Sequence, residues 1–532
     1  MIARLTAAAA LAAALALPAA AQTAPAQGAR PSLVVFITVD QLRPDYFARY
    51  QHQLTGGLAR LARNGAFYRN GMQDHAITET APGHASTLSG RFPASTGIVA
   101  NVYGVGDTTA RLLTGTMMGA SPFRFRGTTL IDWMRAANPA SRALSISRKD
   151  RGAILPLGRA KQSVFWYDYQ GGFTTSRYYA DTLPAWVRRF NARRIPHGMA
   201  GREWNLLLPA GEYPEPDTVL AESRTPIARG AHEPAFPHRI PTDPDSAARY
   251  FTEFPFMDQL TADAAITGLR EMRLGRGDHP DLLAVSFSTT DAVGHRYGPD
   301  SREIHDQVLR LDRTLGAFID SVYAQVDSSR VVFALTADHG VASLPEVAHP
   351  GASRGWHVSL DTLVVAMRNE LGAGVDPAAF LTDDGILFLR PELLPRGVNA
   401  DSLARAFAAR VRRVPGVHRV DRMADLWALG PEALERDSIG RRWVHMIPRD
   451  QPIPVVVTLD PGRDWGTGLY AVHGTPHAYD VHVPVIFYGP AFRPGRHDEP
   501  VRVVDMAPTL AAILGIRPLE ALDGRVVASA LR

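Results

Sequence analysis

The run of apolar and polar positions along the chain repeats one unit. Leu33-Val-Val-Phe-Ile-Thr-Val-Asp40, Leu282-Leu-Ala-Val-Ser-Phe-Ser-Thr-Thr-Asp291 and Val331-Val-Phe-Ala-Leu-Thr-Ala-Asp338 are short apolar β-type stretches, each closing on an aspartate. Apolar runs without alternation fit strands buried on both faces, as in a parallel sheet covered by helices. Elsewhere the spacing turns helical. Phe47, Leu54, Leu58 and Leu61 share one side of a helix predicted from Pro44 to about Phe67. Ile304, Val308, Leu311, Leu315, Phe318, Ile319 and Val322 recur at three- and four-residue intervals, with Ser301 as N-cap. Met506 to Leu514 predicts a further short helix, stopped by Gly515. Strand, crossover helix and strand in this order predict an α/β fold, a mostly parallel central sheet with helices on both faces.

Two stretches break the rhythm. Residues 106–254 are rich in Pro, Gly and aromatics, and residues 346–468 mix short helical and strand patterns without another aspartate-capped strand. Both read as insertions folding over the carboxyl rim of the sheet as a cap, which leaves residues 32–105, 255–345 and 469–532 as the core. Ahead of the core, residues 1–21 carry a positive charge at Arg4, an Ala/Leu-rich run from Leu5 to Leu17 and small residues from Ala19 to Ala21. That is the pattern of a cleaved secretory signal. An uncleaved anchor is the alternative, but the run falls short of the roughly 20 residues of a membrane span. Residues 22–31 are polar and Ala/Pro-rich, and read as a disordered leader. No other segment has the composition to enter a membrane stably.

Composition narrows the class. Fifty-seven basic against 53 acidic residues leave a formal charge of +4 on 532 residues, too small an excess to argue for nucleic acid as a partner. The chain has no cysteine, which excludes disulfides, thiolate metal sites and a thiol nucleophile. Export without disulfides fits a bacterial periplasm or cell surface, where a chain of this size buries enough core to dispense with staples.

Ligands on parallel sheets bind beyond the carboxyl ends of the strands, so Asp40, Asp291 and Asp338 gather at one rim. Three like charges there repel one another unless cations sit between them. His295 lies four residues after Asp291, His339 follows Asp338, and His473 precedes Gly474 shortly before the apolar strand Val483–Tyr488. Three aspartates and three histidines suit two borderline cations, most simply two Zn²⁺ ions.

A nucleophile is expected in Thr78-Glu-Thr80-Ala-Pro82-Gly-His84. Pro82 suits the first turn of a helix, which places Thr80 just outside an N-terminus where an anion is favoured. A threonine hydroxyl bound to zinc ionises far more readily than a free one. The alternative is that Thr80 only caps the helix. Lys149 and Arg151 stand two apart, so on an extended segment both point the same way, offering a phosphate a point charge and a planar fork. A solvated charged face is the plainer reading. Asn101 is a candidate donor to a phosphoryl oxygen, or else an ordinary loop asparagine. His75, His84 and His305 read as structural, His84 by ordering the turn after Thr80, and His349, His357, His477 and His482 as cap or rim residues.

Taken together, Asp40, Thr80, Asp291 with His295, Asp338 with His339, and His473, in this order on an α/β sheet, resemble the alkaline phosphatase superfamily. Within it, a threonine nucleophile with Asn101 and Lys149-Asp-Arg151 resembles the phosphate-irrepressible alkaline phosphatases of bacterial periplasms. The resemblance spans residues 31–525. It implies one zinc held by Asp291, His295 and His473, and a second held by Asp40, Asp338, His339 and the Thr80 oxygen. It also implies hydrolysis of small phosphate monoesters through a covalent phosphothreonine, with Asn101, Lys149 and Arg151 binding the phosphoryl group. Nucleotide pyrophosphatases and other phosphodiesterases share the metal ligands but lack the Lys-x-Arg pair, and form the alternative. A metal- or phosphate-binding surface protein without catalysis is a second alternative. Sulfatases need a Cys or Ser at the nucleophile position and are set aside. Oligomeric state is not legible.

Overall fold

The computed structural model describes residues 30–217, 235–344, 357–372, 375–383, 385–466 and 471–532. The predicted signal, the leader up to residue 29 and His349 lie outside the described residues. The strands are β1 (Leu33–Val39), β2 (Ala66–Met72), β3 (Ala143–Ser147), β4 (Ser163–Tyr167), β5 (Phe173–Thr174), β6 (Glu203–Trp204), β7 (His238–Arg239), β8 (Asp281–Phe287) and β9 (Val331–Thr336). They are followed by β10 (Phe380–Asp383), β11 (Ile386–Leu389), β12 (Val417–Arg422), β13 (Val455–Leu459), β14 (His482–Tyr488), β15 (Gly495–His497) and β16 (Val501–Arg502).

The central sheet runs β15-β2-β14-β9-β1-β8-β3-β4-β5, with β16 also on β2. From β9 to β4 all neighbours are parallel. β14 enters antiparallel between β9 and β2. Strands β1, β8 and β9 are buried along their whole length, as runs without alternation require. Because β9, β1, β8 and β3 are neighbours, their carboxyl ends form one continuous rim. The antiparallel β14 starts at that same edge, which brings the segment before it there too. Among the described residues no helix is long and apolar enough to cross a membrane.

The crossover between β8 and β9 contains helix Arg302–Tyr323, N-capped by Ser301 as the sequence indicates, and Gly515 ends helix Met506–Leu514 in the left-handed region. Three expectations need correction. The helix expected from Pro44 to Phe67 is two short helices, Tyr46–Arg49 and Gly57–Asn64, and Phe67 belongs to β2. The break comes at Gly56 and Gly57, where a Cβ would stand 2.2 Å from Asp312 O and 2.4 Å from Leu315 Cβ of the crossover helix. Backbone contact at this point leaves room only for glycine. The strand expected to end in Asp291 stops at Phe287, and Asp291 sits in the first turn of helix Thr289–Tyr297. Asp258 accepts from Thr289 N at 3.2 Å and from Thr289 Oγ1 at 2.7 Å, and so fixes that helix start. Finally, residues 106–254 are not a cap alone, because β3, β4 and β5 belong to the central sheet. Trp166 and Tyr167 are fully buried strand residues, since a sheet edge covered by helices takes up aromatics as readily as aliphatics.

Residues 357–466 build a second sheet, β10-β11-β13-β12, antiparallel throughout. Phe388 of β11, with Trp443 and Met446 of helix Ser438–Met446, packs with Ala76, Ile77 and Val99 of the main body. Beside them Asp74 receives two hydrogen bonds from Arg441, both at 3.0 Å, with Arg442 at 3.4 Å.

Candidate active site

Four neighbouring strands deliver the centre of the site. Asp338 follows β9, Asp40 follows β1, Asp291 opens the helix after β8, and Lys149 follows β3, in the lateral order of the sheet. Thr80 is the first residue of helix Thr80–Thr87, just beyond Glu79 at the N-cap position, and is 1% exposed. Gly83, one turn on, lets this helix lie against β9's extension: a Cβ there would be 2.3 Å from Asp338 O.

Lys149 Nζ is the meeting point. It donates to Thr80 Oγ1 at 3.1 Å and to Asp291 Oδ2 at 2.7 Å, and stands 2.6 Å from Asp40 Oδ2. Burial pushes the Asp40 carboxyl up, and Asp291 and Asp338 push it further. Burial would also raise Asp291, but Lys149 and His295 outweigh it and hold that carboxyl well below its usual range. Asp338 is likewise lowered, against its burial, mainly by His84. His84 Nδ1 lies 3.1 Å from Asp338 Oδ2 and 2.9 Å from Thr80 O, so it links the Thr80 backbone to that carboxylate.

The histidines share one arrangement. His295 Nδ1 donates to Ala471 O at 2.6 Å, His473 Nδ1 to Thr78 O at 2.7 Å and His339 Nδ1 to Gly340 O at 2.9 Å. Each backbone bond fixes the tautomer and leaves Nε2 with a free lone pair, the orientation that metal-bound imidazoles take. His295 Nε2 and His473 Nε2 face each other at 3.3 Å, 3.1 and 3.7 Å from Asp291 Oδ1. His339 Nε2 is 3.4 Å from Asp40 Oδ1 and 3.7 Å from Asp338 Oδ2. His339 Nε2, both Asp40 oxygens and Asp338 Oδ2 are buried without a hydrogen bond. Lys149 and His84 stand close to two of these oxygens, but clustered carboxylates and an unbonded imidazole nitrogen together form the donor set of a divalent cation, so the residues fit one.

Among the described residues two groups close tightly enough to hold an ion: Asp291 with His295 and His473, and Asp40 with Asp291 and His339, the ligand atoms of each lying within 4.8 Å of one another. The first is the set expected. In the second Asp291 stands where Asp338 was expected, because Asp338 Oδ1 is held by Gln41 N and His339 N at 3.2 and 3.1 Å and Oδ2 faces His84.

Asn101 belongs to the site. Its N–H is bonded to Glu79 Oε2 at 2.6 Å, and its Oδ1 accepts from Ala81 N at 2.9 Å, the residue after Thr80. Lys149 and Arg151 are not on one extended segment as expected. Lys149 is the N-cap of helix Asp150–Ile154 and Arg151 lies in its first turn, because the chain bends as soon as β3 ends. Arg151 Nη1 is 3.6 Å from Asp150 Oδ1. Burial opposes its charge, but Asp150, Asp40 and Asp291 raise its pKa, so the guanidinium stays charged beside the aspartates.

The sequence family described as type I phosphodiesterase / nucleotide pyrophosphatase matches residues 34–379. The chain belongs to this family. Among characterised proteins, it is similar to alkaline phosphatase PhoV of Synechococcus elongatus, 30% identical over 528 residues, 95% of this chain and 94% of that one. Alkaline phosphatase PafA of Elizabethkingia meningoseptica is 31% identical over 523 residues, 92% of each chain. A crystal structure of PafA matches the fold with a TM-score of 0.84 at 27% identity, covering 94% of this chain and 99% of that one. This member of the phosphodiesterase / nucleotide pyrophosphatase family thus carries a mixed α/β fold shared with alkaline phosphatases over nearly its whole length.

Two residues of the site were not singled out from the sequence. Gln41 donates to both Asp338 and Asp291, and Arg148, 8% exposed, places Nη2 3.7 Å from Asp291 Oδ2. Their signal was adjacency: a polar residue directly after Asp40, and a third cation directly before Lys149.

Proposed function

We propose that this chain hydrolyses phosphate monoesters, as an alkaline phosphatase, with Thr80 as nucleophile and a phosphothreonine as intermediate. The observation that carries this reading is the meeting of Thr80 Oγ1 with Lys149 Nζ between Asp40 and Asp291. Two zinc ions complete it: Asp291, His295 and His473 would hold one, and Asp40, Asp338 and His339 the other, with Asp291 in reach of both. Such ions, when bound, make a hydroxyl acidic and stabilise a departing oxygen.

The chain's own residues do the rest. The positive end of the dipole of helix Thr80–Thr87 favours an anion at Thr80. Lys149 and Arg151 supply two positive charges for a dianionic phosphoryl group, and the Asn101 amide donates to one of its oxygens. Thr80 Oγ bonds to phosphorus as the bond to the ester oxygen breaks, and the alcohol leaves with that electron pair. Water then attacks the phosphothreonine, releasing inorganic phosphate and restoring the hydroxyl.

The family's description favours a second reading, a phosphodiesterase. A diester carries one charge fewer and a second ester group where Lys149 and Arg151 would bind, which supports the monoester. The deciding experiment is the turnover of a phenyl phosphate monoester against the corresponding diester, with metal analysis of the same sample. Preference for the diester overturns the proposal, and absence of phosphate release, with no effect of chelation, leaves a binding protein. The exported location read from residues 1–21 is also proposed. Sequencing the mature N-terminus tests it, with Gln22 as the expected first residue.

A further inference from the structure

We propose that Gln41 is a positioning residue of the metal-ligand set, holding Asp291 and Asp338 in register from the strand between them. The inference rests on the two-cation reading above and extends it. β1 lies between β8 and β9, so the residue after Asp40 is flanked by the carboxylates that the other two strands deliver. Gln41 is 1% exposed and has a φ of 65°, a left-handed conformation that glutamine rarely adopts. From that conformation its peptide N–H donates to Asp338 Oδ1 at 3.2 Å and its Nε2 donates to Asp291 Oδ1 at 3.1 Å.

Asp291 Oδ1 is the oxygen that faces His295 Nε2 and His473 Nε2. The carboxamide occupies one lone pair of that oxygen and leaves the other aimed at the imidazoles. Asp338 is fixed in the same sense, its Oδ1 held by the N–H groups of Gln41 and His339 while Oδ2, turned to His84, makes no hydrogen bond. Space filling does not explain the residue. Gln41 Oε1 is buried without a partner, a desolvation cost that an apolar side chain of similar length would avoid, so the useful atom is the donor Nε2. The helix carrying Asp291 and His295 is shaped around it. At Gly294 a Cβ would lie 1.8 Å from Gln41 Oε1, so the helix takes its poorest ordinary former at that point to admit the carboxamide.

The test is Zn²⁺ affinity of the full-length protein, measured by competition with a chromophoric chelator, together with Tm. Gln41→Gly accepts the backbone conformation and deletes the carboxamide. It is expected to keep Tm within a few degrees while weakening Zn²⁺ binding about 10- to 100-fold, as loss of a partner to a ligating group does. Gly294→Ala, which leaves Gln41 in place but pushes its carboxamide aside, is expected to weaken binding in the same way. In the Gln41→Gly background Gly294→Ala should cost nothing further. Wild-type Zn²⁺ affinity in Gln41→Gly, or losses that add in the double variant, overturns the proposal. If Gln41→Gly does not fold, unchanged affinity in Gly294→Ala alone overturns it. Should the wild-type chain take up no Zn²⁺, the two-cation reading falls and this inference with it; equal uptake by all variants sinks only the inference.

Discussion

At the scale of single residues, one ammonium group organises the centre. Lys149 Nζ touches a hydroxyl and two carboxylates drawn from three other segments of the chain, so its removal exposes Thr80 to the unscreened field of Asp40 and Asp291. Replacing Lys149 and Arg151 together by alanine should lower kcat/KM for a monoester by on the order of 10²–10³-fold, and much less for a diester. Equal losses on both substrates would mean that the pair only supports the fold. Thr80→Ala should yield no acid-stable phosphoprotein on rapid quenching and cost at least about 10³-fold in kcat; a normal burst in that variant removes Thr80 as nucleophile. The aspartates and histidines were legible because they sit where apolar runs stop, and a parallel sheet sends such positions to one rim. Gln41 was not, because its role depends on a left-handed backbone angle and on partners 250 and 297 positions away. Nothing in a local pattern records either.

At the scale of elements, the fit between helices Gly57–Asn64 and Arg302–Tyr323 ties the crossover helix to the β2–β14 side of the sheet. Asp312 of the long helix accepts from Thr55 N at 2.8 Å, Gly56 N at 2.5 Å and Ala59 N at 3.0 Å, which satisfies the exposed start of the short one. Asp312→Ala leaves three donors without a partner and should cost about 2–3 kcal/mol, read from the urea midpoint, with KM for a monoester unchanged. The long helix was legible from its strict three- and four-residue spacing and its serine cap. The short one was misjoined to its neighbour, because apolar residues keep helical intervals across a break that only tertiary contact imposes. Composition misled in the same way for residues 106–254, where aromatic strands of the main sheet resemble the wall of a cap.

For the molecule as a whole, the second lobe is fastened by charge as well as by apolar contact. Burial would raise the Asp74 carboxyl, but hydrogen bonds from His445 and Arg441 prevail and hold it well below the ordinary value of 3.8. A carboxylate depressed on folding stabilises above its unfolded pKa, and that contribution fades as pH falls through the lower folded value. The Tm gap between wild type and Asp74→Asn should therefore be full at neutral pH and close in strong acid. At neutral pH, breaking this buried pair should cost about 3–5 kcal/mol. A gap that persists unchanged in acid would contradict the assignment. On the two-ion reading, chelation should lower both activity and Tm, since the candidate ligands come from the ends of β1, β8 and β9 and from the segment before β14. One further consequence follows from the way β14 inserts between β9 and β2. His473 reaches back 395 positions to the Thr78 carbonyl, so on the reading proposed above a chain halted before the segment leading into β14 should lack one ion ligand even with Thr80 already made.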